Sequence, residues 1–175
     1  PSGCGKTTLG NALVGLLKPS GGQVNRRHDL APWRFQKLYQ DPVASFSMHQ
    51  TIRQALAHLL QLHRLESAPI AHWQHKLRLG DELLDRLPAE VSGGELQRLA
   101  ILRAMLLQPV FVFADEPTSR LDALTQRDTM EALCGAMAES GCAMLLVSHD
   151  THLAQRCTHR QWLIEDGRLH ADAIT

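Results

Sequence analysis

Several clusters of residues have the types and spacing for phosphate chemistry. Pro1-Ser2-Gly3-Cys4-Gly5-Lys6-Thr7 fits G-x-x-x-x-G-K-[ST] with only the leading Gly absent. Gly3 and Gly5 allow a tight curl in which backbone N–H groups of the loop, from Ser2 to Thr8, face an α- or β-phosphate. Lys6 offers a point charge to the β- and γ-phosphates, and the Thr7 hydroxyl is a ligand type for Mg²⁺. Far downstream, Val110-Phe111-Val112-Phe113-Ala114 is a continuous apolar run that ends in Asp115-Glu116. Two carboxylates at the end of a buried strand need a partner, because unpaired buried charge is costly. Mg²⁺ on Asp115, and a water polarised by Glu116, give both a use. A second apolar run, Cys142 to Val147, ends in Ser148-His149-Asp150. A lone His at a strand end reads more readily as structural than as catalytic.

Between these clusters lies Ser92-Gly93-Gly94-Glu95. Ser92 is a helix cap, and Glu95 three residues on can close a capping box. The two glycines let another molecule approach the backbone, where the first-turn N–H groups and the helix dipole favour an anion. Many ordinary helices also begin with Ser-x-x-Glu.

Elements that would position these groups follow from periodicity. A helix opens at Lys6, with Leu9, Ala12, Leu13, Leu16 and Leu17 on one face and Pro19-Ser20-Gly21-Gly22 stopping it. Phe35-Gln36-Lys37-Leu38-Tyr39 reads as a strand, broken by Gln40-Asp41-Pro42. By itself, Gln40 is a turn residue at a strand end. Ile52, Ala55, Leu56, Leu59, Leu60 and His63 form an amphipathic stripe capped by Thr51. A second helix is predicted over residues 70–87, ended by Pro88. The helix from Ser92 runs to Gln108-Pro109. Trp162-Leu163-Ile164 and Arg168-Leu169-His170 flank Glu165-Asp166-Gly167, a hairpin with an Asp-Gly turn. The predicted fold class is α/β with a mainly parallel buried sheet. Its core comprises residues 1–42 and 98–175, and residues 43–97 form an inserted all-helical subdomain.

Composition narrows the function. The 175 residues suffice for one domain with a real core, and 44% hydrophobic with 21% charged residues is ordinary for a globular protein. The formal net charge of +0 gives no bulk attraction to nucleic acid or anionic lipid, so no nucleic-acid partner is expected. No apolar run reaches the roughly 20 residues of a membrane span, and no signal peptide opens the chain. Cys4, Cys134, Cys142 and Cys157 lack C-x-x-C spacing and read as reduced cytosolic thiols. His58, His63, His72 and His75 crowd the helical segment. His72 and His75 are spaced to share a helix face, but no carboxylate or Cys completes a metal set at ligand spacing. Trp33, Trp73 and Trp162 are dispersed and read as packing residues.

Together, the phosphate loop, Gln40, the Ser92–Arg98 stretch, Asp115-Glu116 with Ser119-Arg120-Leu121-Asp122, and His149 resemble the ATP-binding-cassette (ABC) ATPases. That resemblance implies a P-loop NTPase fold and a head-to-tail dimer sandwiching two ATP molecules. It makes Glu116, His149 and Gln40 catalytic. Gln40 contacts Mg²⁺ and the attacking water, and His149 contacts the γ-phosphate. Thr7, Gln40 and Asp115 are the Mg²⁺ set. Ser2, Gly3, Cys4, Gly5, Lys6, Thr7 and Thr8 bind nucleotide in one chain. Ser92, Gly93, Gly94 and Glu95, with Asp122 of the D-loop, act across the dimer interface. The usual second residue of the D-loop is Ala, so Arg120 departs from the pattern, either as an added contact or as a solvated side chain.

Tyr39-Gln40-Asp41-Pro42-Val43-Ala44-Ser45-Phe46 is similar to the dipeptide, oligopeptide and nickel importer group, although Met48 stands near where that group often has Pro. Glu95 replaces the commoner Gln. The implied partners are a second cassette, membrane permease subunits and, indirectly, a solute-binding protein. The implied location is the cytoplasmic face of the inner membrane. The family's strand before the phosphate loop, and any aromatic that stacks on adenine, would precede Pro1, so an N-terminal truncation is expected. A DNA-repair ATPase would carry a long coiled coil, and no heptad repeat appears. A ribosomal type would carry two cassettes and basic linkers. A non-catalytic cassette would have lost Lys6, Glu116 or His149.

Overall fold

The structure, a computed structural model, describes residues 4–65, 69–165 and 167–172. Ser2, Gly3 and the Asp166 turn position lie outside the described residues.

Three parallel strands form the central sheet: β1 (Phe35–Leu38), β2 (Phe111–Asp115) and β3 (Ala143–Val147), in the spatial order β1-β2-β3. Phe35 pairs with Phe111 and Phe111 with Ala143, so the strands end level with one another. The apolar run at β2 is explained by its central place, where Val112, Phe113 and Ala114 are fully buried. β3 has a described neighbour on one side only, and its middle residues are half-buried rather than buried as the sequence predicts.

One face of the sheet is covered by α1 (Lys6–Val14) over a small core of Val14, Phe113 and Val147. The other face meets a larger core, in which Leu38, Val112 and Ala114 join Ile52, Leu56, Leu77, Leu84, Leu99 and Leu102. This three-layer arrangement follows the predicted α/β class. α4 (Gly93–Leu106) is buried almost all round, so it needs no amphipathic stripe.

Two helix predictions need correction. α1 stops at Val14, because Gly15 takes a left-handed φ of 86° and its N–H returns to the Ala12 and Asn11 carbonyls. Its buried positions are Gly10 and Val14, while Leu9, Leu16 and Leu17 are exposed. The ring of Phe113 occupies the space beside Gly10, and that contact sets which side of the helix faces the sheet.

The segment 70–87 is likewise not one helix. α3 (Pro69–Lys76) ends before Arg78, which is left-handed at φ 53°, and a 3₁₀ turn follows over Asp81–Asp85. Leu77, Leu79, Leu83 and Leu84 are all buried. Arg53 of α2 (Ile52–His63) anchors the turn by bonding Asp85 at 2.7 and 3.0 Å and Asp81 at 3.2 Å. Pro88 begins a further 3₁₀ turn. The cap on α2 is as predicted, with Thr51 and Gln54 closing a capping box.

α5 (Ala123–Ser140) and α6 (Thr151–Cys157) follow β2 and β3, and β4 (Gln161–Glu165) pairs antiparallel with β5 (Arg168–Asp172) as the expected hairpin. Cys134 of α5 and Cys157 of α6 form a disulfide with Cα atoms 5.8 Å apart, which corrects the expectation of four reduced thiols. Their separation of 23 residues carries no sequence signature; α6 packing back on α5 creates the pair. Trp73 is buried as a packing residue, whereas Trp33 lies exposed beside His63 and Trp162 is half-exposed on β4. His72 pairs with Glu139 of α5, and no cluster of metal-ligating residues occurs among the described residues. No described helix is long and apolar enough to cross a membrane.

Candidate active site

The carboxyl ends of the three parallel strands and the start of α1 converge on one edge of the sheet, where open α/β sheets bind ligands. Gly5 caps α1 with a φ of 97°, a conformation that only glycine adopts without strain. The first-turn N–H groups of Lys6, Thr7 and Thr8 have no carbonyl four residues back within the helix, and they suit an anion. Lys6 Nζ lies 3.7 Å from Cys4 Sγ.

The Thr7 hydroxyl donates to Asp115 Oδ1 at 3.1 Å, joining α1 to the end of β2 across 108 residues of sequence. Asp115 Oδ2 lies 3.2 Å from Lys37 Nζ, a largely buried ammonium on β1. Lys37 also donates to Asn11 Oδ1 at 2.9 Å. Nothing in the motifs announces Lys37. Its signal is strand parity: it shares the face of Phe35, so its charge points inward and must find a partner.

Glu116 follows with a left-handed φ of 49°, an uncommon state for a residue with a Cβ and one that clusters at functional sites. Its N–H donates to the Val147 carbonyl at 2.9 Å, which ties the end of β2 to the end of β3. Its carboxylate Oε1 is 2.7 Å from His149 Nε2. The sheet thereby joins the two groups proposed for catalysis, 33 positions apart in sequence. They line an open cleft of about 570 Å³ with Ser119, Gln126, Ser148 and His152.

Gln40 sits at the end of β1, but its amide is not brought onto the Thr7–Asp115 pair. Its Nε2 donates to Ser119 Oγ at 3.0 Å, and Ser119 in turn donates to the Glu116 carbonyl at 3.1 Å. Arg120 makes a contact within the chain, since its guanidinium pairs with Asp41, while its side chain stays more than half exposed. Two polar links thus join the segment after β1 to the segment after β2. Asp122 caps α5 by accepting from the N–H groups of Leu124 and Thr125. The bond with Thr125 holds its carboxyl below the usual range.

Ser92 caps α4, and its hydroxyl bonds Glu95, which keeps that carboxyl below its usual range. Ser92 and Gly93 are exposed, whereas Gly94 is buried. A Cβ on Gly94 would meet Thr125 Cγ2 at 2.2 Å, so this glycine is needed for packing of α4 on α5 within the chain. That role was not foreseen from the motif, which suggested approach by another molecule.

A family model described as ABC transporter matches residues 1–119. The nickel import ATP-binding protein NikE of Escherichia coli O157:H7 is 33% identical over 96% of this chain and 69% of its own length. The putative oligopeptide transport ATP-binding protein YkfD of Bacillus subtilis is 35% identical over 99% of this chain and 60% of its own. A probable peptide ABC transporter ATP-binding protein of Sinorhizobium fredii, y4tS, is 33% identical over 96% of this chain and 52% of its own. The chain therefore spans from about half to two thirds of the length of these relatives. Among solved structures, cbiO1 of Clostridium perfringens, part of the ABC transporter complex cbiONQ, superposes with a TM-score of 0.83. It covers 97% of this chain and 72% of its own at 21% identity, which shows a shared fold. The chain belongs to the ABC transporter family, as one of its ATP-hydrolysing subunits.

Proposed function

We propose that this subunit powers solute import, of the peptide or nickel type, through separate membrane subunits on the cytoplasmic face of the inner membrane. The names of the relatives support import of such solutes, and the neutral charge disfavours a role on DNA or ribosomes. One observation carries the catalytic part. Glu116 and His149 are held 2.7 Å apart beside a hydroxyl–carboxylate pair, Thr7 and Asp115, at the start of α1.

Thr7 and Asp115 fit a divalent ion such as Mg²⁺. They are hard oxygen donors from two elements already in contact, and Mg²⁺ usually takes one or two such protein groups beside phosphate oxygens and water. When bound, the ion neutralises charge on the β- and γ-phosphate oxygens. The residues of the chain do the rest. The α1 N–H groups and Lys6 hold the phosphates of ATP. Glu116 accepts a hydrogen bond from the attacking water and orients it. His149, whose Nε2 now bonds Glu116, would turn that donor to the γ-phosphate as charge grows there. Gln40, now bonded to Ser119, would have to leave that bond to reach the water or the ion.

The Ser92 end of α4 is exposed and would close over the nucleotide of a second cassette, with Gly93, Gly94, Glu95 and Asp122 at that interface. Residues 43–97 form the arm that transmits closure to the permease, and residues 1–42 and 98–175 form the catalytic core. The test uses the full protein. Glu116→Gln should lower turnover by about 100-fold or more while ATP binding persists. Mg-ATP should then convert monomer to dimer by solution mass, and Ser92→Arg should block that conversion. Turnover near the native rate in Glu116→Gln would sink the catalytic assignment. A monomer that binds ATP would sink the homodimeric sandwich.

A further inference from the structure

A buried ammonium stands beside the carboxylate assigned to the metal, and phosphate binding does not account for it. The Lys37 side chain is 9% exposed, and Asp115 is 13% exposed. Four groups surround the Lys37 Nζ. Asp115 Oδ2 is at 3.2 Å, Asn11 Oδ1 is at 2.9 Å, and the rings of Phe113 and Tyr39 have centroids at 5.0 and 5.1 Å. Burying such a charge is costly unless it is paired and hydrogen-bonded, and here it is both. The two oxygens of Asp115 are divided between partners, Oδ1 to the Thr7 hydroxyl and Oδ2 to Lys37. The phosphate loop has its own cation in Lys6 on α1. Lys37 comes from β1 instead and is directed at the carboxylate.

We propose that Lys37 is a positioning residue that acts as a resident cation at Asp115 and weakens the dependence of nucleotide binding on divalent metal. This rests on the assignment of Asp115 as the metal carboxylate. Two effects act in the same direction. With Lys37 present, the negative charge of Asp115 is already balanced when no metal is there, so it repels a triphosphate less. With the metal present, the fixed positive charge opposes the ion and lowers its gain. Metal and nucleotide are linked, so both effects reduce the ratio of ATP affinity with Mg²⁺ to that without it.

The measurement is the dissociation constant of the non-hydrolysable β,γ-imido analogue of ATP, by calorimetry on the full protein, in Mg²⁺ and in EDTA. The ratio of the EDTA value to the Mg²⁺ value should rise at least about ten-fold in Lys37→Met, the size expected for removing one unit charge a few ångströms away. Lys37→Gln is read beside it, because its amide can still donate to Asp115 and keep that carboxylate hydrogen-bonded. Lys37→Arg keeps the charge and should stay near the native ratio. A purely structural defect would weaken binding equally in both buffers and leave the ratio alone. An unchanged ratio in the neutral variants would overturn the inference while leaving the site assignment standing. Absence of nucleotide binding in both buffers would overturn the site assignment, and this inference with it.

Discussion

Replacing Gly10 by Ala sets two well-measured effects against each other. Gly10 lies inside α1, where Ala is favoured over Gly by about 1 kcal/mol through backbone entropy. The tertiary contact has the opposite sign. A Cβ at position 10 would lie 2.2 Å from Phe113 Cζ and 2.3 Å from both ε-carbons. Ordinary carbon–carbon contact needs about 3.5–4.0 Å, so roughly 1.3 Å of overlap must be relieved. The ring cannot swing aside, because Phe113 is fully buried in the middle strand. α1 must therefore lift from the sheet.

Overpacking of this kind costs roughly 1–3 kcal/mol, and an overlap with three rigid ring atoms belongs at the upper end. Net destabilisation of about 2 kcal/mol is expected after the helix gain, which is a fall in Tm of roughly 4–8 °C for a domain of this size. The same lift would part Thr7 from Asp115, now 3.1 Å apart, so affinity for Mg-ATP should fall as well. Differential scanning fluorimetry and nucleotide titration read the two effects. Gly10→Ala combined with Phe113→Leu should be more stable than the sum of the single changes predicts, because the smaller side chain vacates the contact. A Tm equal to or above the native value in Gly10→Ala would refute the packing account and leave helix propensity as the dominant effect.

Two further outcomes are expected. Burial pushes the Cys142 thiol up to about 11, so at pH 8 iodoacetamide should label Cys4 well before Cys142, with Cys142 reacting at speed only on denaturation. Mass spectrometry of the time course checks this, and equal labelling rates would contradict it. Ser92→Ala removes the cap of α4 and should cost about 1 kcal/mol near neutral pH. Because the Ser92 hydroxyl depresses the Glu95 carboxyl in the folded state, that part of the stability is present above the ordinary carboxylate range. It is lost as pH falls through the depressed value. The gap in Tm between native protein and Ser92→Ala should therefore narrow on acidification, and a gap that widens would reverse the assigned sign.

The cap at Ser92, the cap at Thr51 and the buried strand before Asp115 were legible because each is a local pattern, complete within a few residues. Parallel pairing of the sheet was legible from apolar runs alternating with helices. The ends of α1 and the break after α3 were not. The side of α1 that packs is chosen by a ring 103 positions away, and three of the leucines that define a different face, Leu9, Leu16 and Leu17, are exposed. The break at Arg78 follows from burying Leu77 and Leu79 on either side of it, a demand of the core rather than of the segment.

The site divides in the same way. Sequence by itself determined which chemical groups are available, because a phosphate loop, an acidic strand end and a His at a strand end are local motifs. Tertiary structure decided which groups touch. It set Glu116 against His149, turned Gln40 toward Ser119, paired Arg120 with Asp41 and Lys37 with Asp115, and spent Gly94 on Thr125. Motifs record what a few neighbouring residues must be. Contacts between strand ends depend on register and layer packing, which only the folded chain fixes.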